Sequence, residues 1–173
     1  KRDADAGRSD APDAFIPVLV FVSSRRQTRL TAEALIRLSL QYGAGFGVRL
    51  SDDDVAIVNT VQDASLKMCL ALGVATHHAG LSENDRAVSE RMFLGRKVQV
   101  LVATATVAWG VNLPARIVAI KGCEYFDVRR QQYAPYPITD VMQMVGRAGR
   151  PQFDRDATAV VLVEEQRKDF YKR

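Results

Sequence analysis

Cysteine is scarce: the 173 residues hold 2, Cys69 and Cys123, far apart and in apolar surroundings. That excludes a disulfide-stapled scaffold and a cysteine-built metal centre, and the expectation is a reduced intracellular setting, nuclear or cytoplasmic. The 2 histidines are adjacent, His77 and His78. Neighbours in a strand point to opposite faces, and no cysteine or carboxylate cluster joins them, so no metal is assigned. No apolar run reaches the roughly 20 residues of a membrane-spanning helix, and no secretory signal is visible, so no membrane partner is expected. A phosphate loop of the form G-x-x-x-x-G-K-[ST] is missing, as is an Asp-Glu pair after an apolar strand. Charge of one sign is not in large excess either. The net charge of +4 (24 basic minus 20 acidic) and a pI of about 9.3 permit an anionic partner, which only the placement of the charges can establish.

What is present is 47% hydrophobic and 25% charged, enough for one domain with a core. The chain begins on Lys1 with a polar stretch to Pro12, and residues 1–14 are expected to be a loose segment of a longer chain, with the domain over 15–173. Ile16–Val22 (IPVLVFV) is a continuous apolar run of the kind that forms a strand buried on both faces, expected at the centre of a parallel sheet. Ser24 is placed to cap a helix carrying Leu30, Ala34, Leu35 and Leu38 at helical spacing. After a glycine-rich break at Tyr42–Val48, two short helices follow, expected to serve packing. Further strands are predicted at Val74–His77, Val98–Ala103 and Ile117–Ile120, with Ala159–Val163 as the last buried one. A helix starts at Ser82, a small-residue loop occupies Thr104–Trp109, a two-stranded ribbon is predicted over Glu124–Pro137, and the helix Ile138–Val145 begins near Thr139 or Asp140. The charged tail Glu164–Arg173 is expected to continue as helix. Buried strands alternating with amphipathic helices define an α/β fold, a mainly parallel sheet with helices on both faces.

One stretch makes a poor core and a good anion clamp: Gln143-Met144-Val145-Gly146-Arg147-Ala148-Gly149-Arg150. Two permanently charged guanidinium forks stand three residues apart among small residues at the end of an apolar helix. For two arginines alone, a surface ion pair or helix C-terminal charge is the plain alternative. Ligands of such sheets bind beyond the carboxyl ends of the strands, where Ser23–Arg26, His77–Leu81 and Thr104–Asn112 lie, and the arginine stretch is expected on the same edge.

Four motifs in order carry a resemblance. VFVSSRR (Val20–Arg26), HHAGL (His77–Leu81), TATVAWGVNLPA (Thr104–Ala115) and QMVGRAGR (Gln143–Arg150) are similar to motif four, the motif after it, motif five and motif six of the second RecA-like domain of superfamily two helicases, Ski-like DExH-box group. The likeness covers Pro17–Tyr171. SSRRQTRLTA, ITDVMQMVGRAGRPQFD and KDFYK resemble most the large helicases with two tandem cassettes.

The resemblance implies a RecA-like fold with a β-hairpin between motifs five and six. It implies ATP and Mg²⁺ held mainly by an N-terminal RecA-like domain that carries the phosphate loop and acidic box lacking here, so this stretch alone does not hydrolyse ATP efficiently. Catalytic roles fall on Arg150 as arginine finger, Arg147 as its partner and Gln143, while Gly110 and Asn112 approach the phosphates. Nucleic-acid backbone contacts fall on Ser24, Arg25, Arg26, His78, Gly80, Thr104 and Thr106. The ribbon resembles a strand-separating hairpin, with Tyr125, Phe126 and Tyr133 as stacking faces and Arg129 and Arg130 as phosphate contacts. An ordinary edge hairpin is its plain alternative, and Trp109 is expected in the core or at a domain interface. The implied activity is 3′ to 5′ unwinding of RNA or DNA within a larger complex. The other reading is a non-catalytic cassette that binds nucleic acid or protein.

Overall fold

Val18–Val22, within the apolar run Ile16–Val22 expected at the centre of a parallel sheet, is the third of five parallel strands. The computed structural model describes residues 15–127, 129–150, 154 and 156–172, so the expected loose segment over 1–14 lies outside the described residues. In chain order the elements are β1 (Val18–Val22), α1 (Arg25–Gln41), α2 (Asp52–Asn59), α3 (Ala64–Ala71), β2 (Val74–His77), α4 (Glu83–Leu94), β3 (Val100–Thr104), α5 (Val107–Gly110), β4 (Ile117–Lys121), β5 (Glu124–Asp127), β6 (Gln132–Pro135), α6 (Ile138–Val145), β7 (Thr158–Leu162), a 3-10 turn (Glu165–Arg167) and α7 (Lys168–Tyr171). The sheet order is β2-β3-β1-β4-β7, and β5 pairs antiparallel with β6 in a separate ribbon.

Strand alternation divides the core. Val20, Val22, Val100 and Val102 pack with Ala32 and Ile36 of α1 on one face. Leu19, Phe21, Leu101 and Ala103 turn the other way into a larger cluster with Met92 of α4, Val107 of α5 and Met144 of α6. Each such buried large side chain contributes roughly 1.5–3 kcal/mol over its exposed state.

Caps fix the helix starts. The Ser24 side chain accepts from the Gln27 amide at 3.3 Å, as its position predicts. Ser51 and Asp54 form a capping box at α2, and Asp54 also pairs with Lys97 at 2.7 Å. Buried Asp85 of α4 accepts from the Gln62 and Asp63 amides at 3.0 and 3.1 Å, tying the α2–α3 junction to α4.

Two expectations are corrected. The last strand runs over Thr158–Leu162 and is an edge strand with Val160 and Leu162 exposed, because it pairs on one side only. Its apolar composition alone imitates a buried strand. Within Thr104–Trp109 the chain makes a helical turn from Val107 instead of staying in loop. α6 spans Ile138–Val145 as expected, with Pro137 at its cap and the Thr139 hydroxyl donating to Asp140 at 3.3 Å.

Candidate functional site

Two polar groups sit at opposite ends of the sheet, joined by the segment Thr104–Ala115.

The first group stands at the carboxyl ends of β1, β2 and β3. Val22 is in register with Thr104, and His77 with Ala103, so the following loops emerge side by side. His78 Nδ1 accepts from the Gly80 amide at 3.1 Å. A Cβ on Gly80 would lie 3.1 Å from the Arg25 side chain and from that same nitrogen, so Arg25, His78 and Gly80 form one contact set. Burial lowers the His78 pKa, opposed by Asp63 and reinforced by Arg25, so the ring is neutral at pH 7. With Nδ1 accepting, the proton is assigned to Nε2, a donor. Ser24 and Arg26 are exposed on the same turn, whereas Arg29 lies 3.9 Å from Glu33 along α1. Thr104 and Thr106 bond hydroxyl to hydroxyl at 3.0 Å.

Beside them opens a cavity of about 220 Å³ lined by His77, Arg86, Glu90, Thr106, Val107 and Val111, among others. Arg86 and Glu90 escaped the sequence reading. Their signal is i,i+4 spacing on the first turns of a helix that follows the HHAGL loop. His77, buried, meets Glu90 at 2.7 Å through Nε2.

The arginine stretch is not on this edge, contrary to expectation. α6 begins beyond the ribbon, at the carboxyl end of β4, and runs back antiparallel to the strands. It therefore delivers Gly146–Arg150 to the amino end, where Ala115 precedes β4. The Ala115 amide donates to Arg147 O at 3.0 Å and the Gly149 amide to Ala115 O at 2.8 Å. Gly149 has φ +102, which an L side chain resists, so its glycine serves the turn that presents Arg150. Arg147 Nη1 donates to Asn112 Oδ1 at 3.1 Å and its Nη2 to the Ala108 carbonyl. Arg150 grips Asp154 with Nε at 2.8 Å, Nη2 at 2.7 Å and its backbone amide at 3.1 Å. Their side chains are only 12% and 3% exposed. The guanidinium hydrogen bonds hold the Asp154 carboxyl below its usual pKa, against the opposing effect of burial. Asp154 also escaped the sequence reading, its signal being the four-residue spacing from Arg150. Gln143 is exposed on α6. Gly110 is exposed too, with an ordinary φ and nothing within 4 Å of a would-be Cβ, so nothing within the described residues requires glycine there. The guanidinium donors of this set suit phosphate oxygens.

The ribbon follows the carboxyl end of β4 and precedes α6. Phe126 and Tyr133 pair edge to face across its strands at 5.5 Å, both exposed, whereas Tyr125 stacks on buried Tyr136 at 5.3 Å and is not a free face. At the tip, Asp127 Oδ1 accepts from the Arg129 and Arg130 amides at 2.9 and 3.2 Å, leaving both arginines exposed. Trp109 is 58% exposed and so is no core residue.

A five-stranded parallel sheet with helices on both faces, an arginine-bearing turn after α6 and an antiparallel ribbon inserted between β4 and α6 define a RecA-like α/β domain. The chain belongs to the helicase conserved C-terminal domain family, whose model matches residues 16–152. It is 54% identical over 159 residues to activating signal cointegrator 1 complex subunit 3 of Mus musculus, covering 91% of this chain and 7% of that protein. The same protein from Homo sapiens matches at 54% over 91% of the chain and 7% of its own length. DExH-box ATP-dependent RNA helicase DExH14 of Arabidopsis thaliana is 50% identical over 160 residues, again 91% of the chain and 7% of the relative. The chain thus spans a small part of the proteins it matches.

Proposed function

We propose that this chain is the C-terminal motor domain of an ATP-dependent nucleic-acid helicase, completing an ATP site whose phosphate loop and Mg²⁺ ligands lie mainly on a neighbouring N-terminal RecA-like domain. The observation that carries this reading is the segment Thr104–Ala115. It starts among the strand-binding candidates, and its Ala108 carbonyl and Asn112 side chain hold Arg147 in the arginine stretch. A shift at either end is passed to the other through one short, hydrogen-bonded piece of backbone.

ATP supplies the phosphoryl group transferred to water. Arg150 is assigned the charge that develops on that group, an effect of about 10³–10⁵ in rate for arginine fingers. Asp154 fixes the plane of its guanidinium. Arg147 supports it, Gly110 leaves room for phosphate against backbone, and Asn112 and Gln143 supply polar contacts. Ser24, Arg25, Arg26, His78, Gly80, Thr104 and Thr106 hold phosphates of one strand without reading bases. Alternation of this grip with that of the neighbouring domain gives movement, 3′ to 5′ in keeping with the Ski-like motifs. The ribbon, with Phe126 and Tyr133 exposed and Arg129 and Arg130 at its tip, separates the duplex.

A second reading has an observation of its own: Arg147 and Arg150 both engage groups within the domain, as in a cassette that binds nucleic acid or protein without turnover. ATP hydrolysis by the full-length protein, with and without single-stranded RNA or DNA, decides between them. The motor predicts hydrolysis stimulated by nucleic acid. Binding of nucleic acid without hydrolysis would establish the cassette.

A further inference from the structure

The tail motif KDFYK has no part in either polar group, yet it ends on a contact at the root of the ribbon. Tyr171 Oη lies 2.9 Å from Tyr136 O and 3.2 Å from Cys123 O. Those two residues are where the chain leaves β6 and enters β5, and they close the root through a Tyr136 amide to Cys123 carbonyl bond of 2.8 Å. One hydroxyl therefore touches both rails. Beside it Arg167 pairs with Glu124, the first residue of β5, at 2.5 Å. Burial raises the Tyr171 pKa, so the hydroxyl keeps its proton at neutral pH and remains a donor.

The root is also packed on the core through Cys123, Tyr136 and Tyr125, and the Gly122 amide donates to Leu162 O at 3.2 Å. Above the root Phe126 and Tyr133 are exposed, and a cavity of about 460 Å³ is lined by Cys123, Glu124 and Tyr133 of the ribbon and by Leu162, Val163, Glu164 and Arg167. Gly122, which joins the ribbon to β4, has φ +87. A two-stranded ribbon is marginal by itself, and one projecting beside a cavity takes its angle from whatever holds its root.

We propose that the turn Glu165–Tyr171 is a latch that sets the angle of the β5–β6 ribbon on the domain, with Tyr171 and Arg167 as positioning residues for duplex separation. This rests on the reading of the ribbon as the strand separator. Loosening the latch lets the ribbon swing at Gly122 without touching the arginine stretch, so unwinding fails while ATP turnover continues.

The test uses the full-length helicase and a duplex with a 3′ single-stranded tail. Tyr171→Phe removes only the hydroxyl, and unwinding is expected to fall about fivefold, one hydrogen bond's worth, with nucleic-acid-stimulated ATPase within about twofold of the parent. Amide hydrogen exchange in β5 and β6 is expected to quicken by a similar factor, with β1 and β3 unchanged. Glu124→Arg and Arg167→Glu each lower unwinding, and the double exchange restores it. Shortening the ribbon to a tight turn tests the separator reading alone. If the shortened ribbon unwinds normally, the separator reading falls and the latch with it. If the shortened ribbon is defective but Tyr171→Phe and both charge variants unwind like the parent, the latch is overturned and the separator stands. Equal losses of ATPase and unwinding also overturn it. Should Tyr171→Phe not fold, the charge exchange decides, and failure of the double variant to recover refutes the latch.

Discussion

At the scale of the residue, neighbouring glycines in the two motifs have different reasons to exist. Gly149 is required by its own backbone, and Gly149→Ala should cost about 1–2 kcal/mol, read as a lower urea midpoint. Gly110 has no such need, since a methyl group fits there. Gly110→Ala should leave the midpoint unchanged or raised by under about 1 kcal/mol while lowering ATP turnover, because the methyl occupies space assigned to phosphate. Unaltered turnover would remove Gly110 from the site. The carboxylates yield a pH dependence. Lys97, first, and the Ser51 cap hold the Asp54 carboxyl far below the usual range. A depressed folded-state pKa stabilises above the unfolded value of about 3.9 and loses that contribution as pH falls through the folded value. Stability should therefore drop from about pH 4 downward, and Asp54→Asn should flatten that fall in denaturant midpoints taken between neutral and acid pH.

At the scale of the element, what periodicity states was legible and what connectivity decides was not. The strand within Ile16–Val22, the Ser24 cap and the presence of α1 are local and legible, but the buried face of α1 is not: Leu30 and Leu38 are exposed, and Thr28, Thr31, Ala32 and Ile36 are the buried residues. β7 has the same apolar composition as β1 but lies at the edge, which composition does not encode because burial depends on a second neighbour. The place of Arg147 and Arg150 was missed for a related reason. Their motif was visible, but α6 has to be traced back from the ribbon before its end falls at the amino side of β4. Asp154 ends a stretch whose resemblance assigns it no role, and Arg86 lies in no motif; both show only as partners four residues along a chain whose fold is already known. The Ser24 cap yields an element-scale prediction. Ser24→Ala should destabilise by about 1 kcal/mol through α1, and Ser24→Asp, which keeps a cap, should recover that stability. If the assigned phosphate contact is real, nucleic-acid affinity stays low in Ser24→Asp, because a carboxylate repels the strand. Full recovery of affinity would leave Ser24 as a cap alone.

At the scale of the whole molecule, the two polar groups make sense only with a neighbour. On the proposed function, the missing phosphate loop leaves the nucleotide's other contacts to a neighbouring domain, in keeping with the helicase-family membership and the 7% share of its relatives' length. The strand-grip candidates follow the carboxyl ends of β1–β3, the arginine stretch lies beside the amino end of β4, and Thr104–Ala115 joins them. In the proposed motor, phosphate chemistry at one group becomes a change of grip at the other. The most direct measurement is ATP turnover and nucleotide affinity of Arg150→Ala in the full-length protein, with Arg150→Lys as the control that keeps a charge beside buried Asp154. The motor account predicts turnover lower by about 10³ in both variants, since lysine lacks the planar fork, with nucleotide binding nearly intact. Turnover retained in a folded Arg150→Ala protein would contradict it.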